Sequence, residues 1–323
     1  MKRTKRVLGL ALAAVMCVGL LAGCGGNPSS SDTADDASGA ETSEKVLNIA
    51  TIGETTTLSP LYMIADNRPT QKLLYEGLVK YVDGEIQPVL AEDWELSEDG
   101  TQLTFYLRQG VTFHDGEPFN AEAAIANIES WHINPSFASL PGVVNYTNIE
   151  AVDEYTIRLT YDTPYFAYIN DFCWPDVCTM ISPKLITQGD FQTVNGYAGT
   201  GPYIYDEYVA GQYTTFVRNE NYWGEQPYYD KIVAKYIPDN ASRVQALQTG
   251  EIDLIYGSAE LSYEDYNQAI AIDGIEGKFA PSGSTVRNII LNFNGNLSDL
   301  SVRQALAYAI DKEAISEGLT YGY

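Results

Sequence analysis

The sequence predicts an α/β fold organised around residues 199–257. Three observations support this. Tyr203 to Tyr208, Thr214 to Val217 and Lys231 to Ile237 are rich in aromatic and β-branched residues, as strands are. A helical segment between Asn240 and Gly250 follows, and Ile252-Asp253-Leu254 reads as a return to the sheet. The chain of 323 residues, 45 % hydrophobic, is long enough for two domains with a sizeable core. The order is β-β-β-α-β, which makes a rigid wall beside a cleft.

Each element has its own reason. Ala210-Gly211 is the turn between the first two strands. Lys231 to Ile237 is nearly all apolar, which suits a strand covered on both faces. The Asn240 side-chain oxygen is placed to accept an orphan N–H of the helix that follows. Gly250 stands where a left-handed residue would end it.

The first residues read as an address. Lys2, Arg3, Lys5 and Arg6 precede an apolar run from Val7 to Leu21, too short for a comfortable membrane span. Leu21-Ala22-Gly23-Cys24 resembles the bacterial lipobox. Residues 1–23 are then a lipoprotein signal peptide, with Cys24 lipidated as the first mature residue; the alternative is an ordinary signal peptide with an incidental cysteine. Residues 24–44 are mostly Gly, Ser, Thr, Ala and Asp with almost no large apolar group, which describes a flexible tether. With 43 acidic against 19 basic residues the chain excludes a nucleic-acid partner, because phosphate binding needs clustered Lys and Arg. No later segment is apolar enough to span a bilayer.

Along the body, Val46 to Thr51 reads as a strand and residues 53–62 as an irregular loop. Asp66 or Asn67 begins a helix with Pro69 in its first turn and Leu73, Leu74, Gly77 and Leu78 inward. Asp99-Gly100 turns a hairpin in which Leu103, Phe105 and Leu107 alternate with polar neighbours. Asn120 caps a helix carrying Ala124, Ile125 and Ile128. A second hairpin turns at Asp153-Glu154, Tyr165 to Phe172 is a short aromatic helix, and Thr179 to Ile181 a short strand. Leu261 to Ile272 is a helix and Val286 to Phe293 a long alternating strand. Asp299 or Ser301 caps a helix through Ile310, with Val302, Ala305, Leu306 and Ala309 as its buried stripe. Cys173 and Cys178 flank a short turn at Pro175-Asp176; in an exported protein they either pair or stand as free thiols.

Several uncommon words recur at a telling spacing. Gly-Thr-Gly-Pro-Tyr (199–203), Asn-Tyr-Trp-Gly (221–224) and Gly-Glu-Ile-Asp (250–253) resemble the bacterial family 5 extracellular solute-binding proteins, the peptide- and nickel-binding receptors of ABC importers. Leu74 to Val79, Leu107 to Glu122, Arg287 to Asn292 and Val302 to Lys312 extend the resemblance from about Val46 onward. It implies the type II periplasmic-binding-protein fold of the large peptide/nickel cluster. Residues 45–80 and 196–285 would form the core of lobe I, 81–195 an appended small subdomain, and 286–323 the hinge and start of lobe II. In the family the chain runs further, so the expectation is a truncated product whose second lobe is incomplete.

The resemblance also places a site. The family's loop and first helix border the ligand cleft, and Met63, Ile64 and Arg68 occupy the matching places. Arg68 near a helix N-terminus suits a ligand carboxylate, or is a solvated surface arginine. In the nickel-binding branch, arginines that hold a chelate should fall near Phe137 and Thr179. Neither is arginine and the remaining candidate is Asp176, so a chelate carboxylate loses its bidentate partner. No protein metal site and no cofactor are expected.

Catalysis finds little support. The chain has two histidines, His114 and His132, and His114 lies in an Asp-Gly turn. Gly199-Thr200-Gly201 is followed by Pro202 and lacks the third glycine of a dinucleotide loop. The expectation is a monomeric, extracytoplasmic, lipid-anchored receptor that is not an enzyme. Its partners would be a peptide or small-molecule ligand, an ABC permease and the membrane that holds the lipid. An extracytoplasmic hydrolase or a non-transport sensor on the same scaffold is the alternative.

Overall fold

The computed structural model describes residues 44–62, 68–174, 177–187, 191, 194, 196–257, 261–278 and 289–322. The chain divides into Met1–Thr42 and Ser43–Tyr323, and all the described residues lie in the second unit. The expected signal peptide and Cys24 lie outside the described residues, as do all but the last residue of the tether.

In chain order the elements are β1 (Val46–Thr51), α1 (Arg68–Leu74), β2 (Val79–Val82), β3 (Glu85–Pro88), β4 (Ala91–Leu96), β5 (Gln102–Leu107) and α2 (Ala121–His132). Then follow α3 (Pro141–Val144), β6 (Tyr146–Asp153), β7 (Thr156–Tyr161), α4 (Tyr168–Phe172), β8 (Tyr203–Val209), β9 (Tyr213–Arg218) and β10 (Lys231–Tyr236). α5 (Asn240–Thr249), β11 (Leu254–Ile255), α6 (Tyr263–Ile270), α7 (Leu300–Ala309) and α8 (Lys312–Thr320) complete them.

Two larger sheets organise the molecule. A five-stranded sheet runs β11-β1-β10-β9-β8, with β1 parallel to both β10 and β11. Its core holds Ile49, Phe216, Ile232 and Ala234 against Leu74 and Tyr75 at the end of α1. An antiparallel four-stranded sheet runs β4-β5-β7-β6. Leu103, Phe105, Leu107, Ile157 and Leu159 alternate inward from β5 and β7 and meet Ile128 and Trp131 of α2. Asn120 caps α2 by accepting from the Ala123 N–H.

Several expectations need correction. Asp239, not Asn240, caps α5, because its extended backbone aims its carboxylate at the Ser242 N–H, 2.8 Å away. Asn240 is already helical, while Gly250 ends the helix with φ 73° as expected. The aromatic helix is only Tyr168–Phe172. Thr179 to Ile181 forms no strand beyond a single bridge from Thr179 to Gly77. The Asn127 side chain takes the place of a strand partner, accepting from the Ile181 N–H and donating to its carbonyl, each at 2.9 Å. The helix expected from Leu261 to Ile272 is Tyr263–Ile270, capped by Ser262. Residues 289–293 form no strand, and Ile290 is 93 % exposed. Asp299 does cap α7, yet no residue of α7 is buried, because no other described element covers the stripe of Val302 and Leu306. Cys173 and Cys178 are separate buried thiols, so the possible bridge is not formed. Among the described residues, no helix is long and apolar enough to cross a membrane.

Candidate functional site

Open α/β sheets bind ligands outside the carboxyl ends of their parallel strands. Here β1, β10 and β11 end on one edge, at Thr51, Tyr236 and Ile255. The Ile237 N–H donates to the Thr51 carbonyl at 3.0 Å and knits two of those ends together. The loop of residues 52–62 leaves this edge and is held from three sides. Gln71 Nε2 of α1 donates to the Ser59 carbonyl at 2.8 Å, and Asn134 Nδ2, just after α2, to the Leu61 carbonyl at 2.8 Å. Ser59 Oγ donates to the Phe191 carbonyl at 2.8 Å. A loop tied this way is pre-organised, which lowers the ordering cost of binding.

Beside the loop lies a shallow surface notch lined by Thr51, Glu54, Thr55, Tyr208, Tyr213 and Tyr236, among others. Glu54 accepts from the Tyr208 hydroxyl at 2.6 Å and the Gly211 N–H at 2.5 Å. Those two bonds hold its carboxyl below the ordinary range. The notch therefore offers a fixed carboxylate and tyrosine faces. Among the described residues no group of His, Cys, Asp and Glu is arranged to hold a metal ion.

Behind the edge, the recurring sequence words converge on one carboxylate. Glu76 Oε1 accepts from the Tyr222 hydroxyl at 2.7 Å. Its Oε2 accepts from the Trp223 indole N–H at 2.8 Å and the Thr200 hydroxyl at 2.9 Å. Burial lifts the Glu76 carboxyl above its ordinary range, and the three hydrogen bonds pull it partly back. The glycines of the 199–203 word allow close approach to α1. A Cβ on Gly199 would lie 1.9 Å from the Leu74 carbonyl oxygen, and one on Gly201 2.6 Å from that of Leu73. Asn219 Nδ2 donates to the Gly201 carbonyl at 3.1 Å, and the Asn219 N–H to that of Pro202 at 2.9 Å.

His114 grips the same loop. Its Nε2 lies 2.9 Å from the Gly201 carbonyl, and its Nδ1 accepts from the Gly199 N–H at 3.3 Å. A neutral ring protonated at Nε2 satisfies both contacts. Burial lowers its affinity for a second proton, against the backbone bonds. With both nitrogens engaged, His114 has none free to act as a general base. His132 packs its ring 4.6 Å from that of Tyr146.

The expected site residues fare unevenly. Met63 and Ile64 lie outside the described residues, as does Asp176. Arg68 opens α1, and its side chain also lies outside the description. Phe137 is fully buried and stacked on Trp131, with centroids 5.8 Å apart at 5°. It is a core residue and cannot touch a ligand, which corrects the expectation. Thr179 is half-buried and spends its backbone on the bridge to Gly77. Glu76 and the His114 grip were not foreseen. Their available signal was an acid inside the apolar run Leu74 to Val79, and a histidine sharing a word with a tight turn.

Comparison with known proteins agrees with this architecture. The model of the bacterial extracellular solute-binding proteins, family 5, matches residues 85–323. The nickel-binding periplasmic protein of Escherichia coli (strain K12) is 34 % identical over 274 residues, 82 % of this chain and 51 % of that one. The glutathione-binding protein GsiB of Pectobacterium atrosepticum is 33 % identical over 287 residues, 85 % of this chain and 54 % of its own. The crystal structure of NikA from Brucella suis in complex with Fe(III)-EDTA superposes with a TM-score of 0.77 at 33 % identity, covering 86 % of this chain and 57 % of that one. The chain thus spans about half the length of the curated relatives it matches.

Proposed function

The chain belongs to the bacterial extracellular solute-binding proteins of family 5, and from that premise we propose that it serves an ABC importer as a substrate receptor. It captures a peptide-like solute or a metal chelate and presents it to the permease. It performs no chemistry on its ligand. What carries the reading is the joining of that membership to a single edge, where three parallel strands end beside a loop tied down from three sides. The likeness to a nickel-binding and a glutathione-binding protein supports the ligand classes.

In this reading residues 45–80 and 196–285 form the core of the first lobe, which accords with a five-stranded sheet drawn from 46–51 and 203–255. Residues 81–195 are the appended subdomain and 286–323 begin the second lobe. Residues 1–23 are a lipoprotein signal peptide, Cys24 carries the lipid, and the mature protein works as a monomer on the outer side of the membrane. The ligand-binding roles expected of Met63, Ile64, Arg68 and Thr179 belong to this proposal, with Arg68 assigned to the ligand carboxylate.

Calorimetric titration with short peptides, glutathione and nickel chelates tests the reading. Saturable heat with one of these classes is expected, weakened by Arg68→Ala. No heat from any of them at millimolar ligand overturns it. For the anchor, mass spectrometry of protein extracted from its native membrane should find a diacylglyceryl group on Cys24. An unmodified Cys24 there contradicts that part.

A further inference from the structure

The chain crosses between its two larger sheets twice, outward after α1 and back before β8. Glu76 stands on the outward crossing and Thr200 on the return. Tyr222 and Trp223 lie on the arm that follows β9. The Glu76 backbone adds a further tie, its carbonyl accepting from the Met180 N–H at 2.8 Å. Four separate stretches of chain therefore meet at this one residue.

The donors decide what that residue can do. An indole N–H only donates, and Trp223 shares Glu76 Oε2 with the Thr200 hydroxyl. A proton taken up from solvent needs a hydroxyl that can turn acceptor, Thr200 at Oε2 or Tyr222 at Oε1, and Oε1 is the less crowded of the two, with one donor against two. Tyr222 can reverse its role and accept there, turning its own hydrogen away. One proton thus keeps two bonds and reverses the third. We propose that Glu76 is a proton-responsive latch: its carboxyl group clasps the two crossings and the Asn219–Gly224 arm, and its protonation state sets how firmly they are held.

The surroundings are consistent with this. Lys80 of β2 favours the charged form from a distance. The Arg108 guanidinium lies 4.4 Å from the centre of the Trp223 ring and is also engaged by Glu92. His114 holds the loop that carries Thr200, and burial disfavours its charged form. No cation touches the Glu76 carboxylate among the contacts described. Because burial raises the folded-state value, the latch contributes most below the ordinary value of 4.5. The contribution is lost as pH rises through the folded-state value. The latch is independent of the ligand class and goes beyond the receptor reading.

Glu76→Gln is the natural probe. Its amide oxygen can take the place of Oε2, and its NH2 can donate to Tyr222, mimicking the protonated form. The chain has four tryptophans, so four indole N–H signals are expected in a two-dimensional NMR spectrum. The Trp223 signal, assigned by its loss in Trp223→Phe, should move with pH in the wild type with a midpoint above 4.5. It should stay still in Glu76→Gln. No movement, a midpoint at or below 4.5, or an unchanged titration in Glu76→Gln overturns the latch. Should Glu76→Gln fail to fold, the wild-type midpoint, cross-checked by the Glu76 side-chain carboxyl carbon shift, decides alone.

Discussion

The junction around Glu76 and the tail from Ile289 to Gly322 use similar residues to opposite effect. At the junction, Leu74 and Thr200 are fully buried, and the Glu76, Thr200 and Trp223 polar groups find partners. In the tail, α7 and α8 carry apolar residues at helical spacing and bury none of them. Tyr308 is 90 % and Leu319 71 % exposed. A periodic pattern thus states which face would be buried. Burial itself requires a facing surface, and among the described residues the tail has none.

That contrast can be broken by substitution. The largest effect should come from Gly199→Ala, whose added methyl meets a backbone carbonyl that cannot swing aside. A loss of about 3 kcal/mol in urea unfolding is expected, by analogy with overpacked cores. A loss within about 0.5 kcal/mol, the range of ordinary surface changes, would show the junction to be far looser than described. His114→Ala should come next. It leaves the Gly199 N–H without its acceptor in a loop with little access to water, while the Gly201 carbonyl keeps the Asn219 Nδ2 donor. About 2 kcal/mol is the usual scale for one such orphaned group, read from the same unfolding curves.

A smaller effect sharpens the picture through pH. The His114 imidazole is depressed below its ordinary 6.5 in the folded protein, so the unfolded chain binds its proton more tightly. Its contribution is complete above 6.5 and is lost as pH falls through the folded-state value. Glu76 has the opposite sign over the neighbouring range. Unfolding curves between those limits should therefore fall more steeply with acid in Glu76→Gln than in the wild type, and less steeply in His114→Gln. Identical slopes in all three would contradict both assignments. The smallest effect belongs to the tail, where Leu306→Gln with Tyr308→Ser should change stability by less than about 0.5 kcal/mol. A larger loss would mean that the stripe is covered after all.

Much of the fold was legible because it is local. The strands β1, β8, β9 and β10, the Asp99-Gly100 hairpin and the Asn120 cap all follow from periodicity, turn chemistry and capping. The site was less legible because its logic is long-range. Glu76 meets Tyr222 across 146 positions, and no pattern around Glu76 announces that meeting. Phe137 was misplaced because correspondence along a chain carries no information on exposure, and a stacked pair with Trp131 decided it. Asn127 hid a missing strand by offering Ile181 the two bonds a neighbour would have made.

The central claim is that a solute is held at the edge where Thr51, Tyr236 and Ile255 end. Amide shift mapping during titration with a peptide, glutathione or nickel-chelate ligand tests it most directly. The account predicts that the perturbed amides cluster in residues 52–62 and 237–240. Perturbations confined to the outer face of the four-stranded sheet, or none with any ligand of these classes, would contradict it.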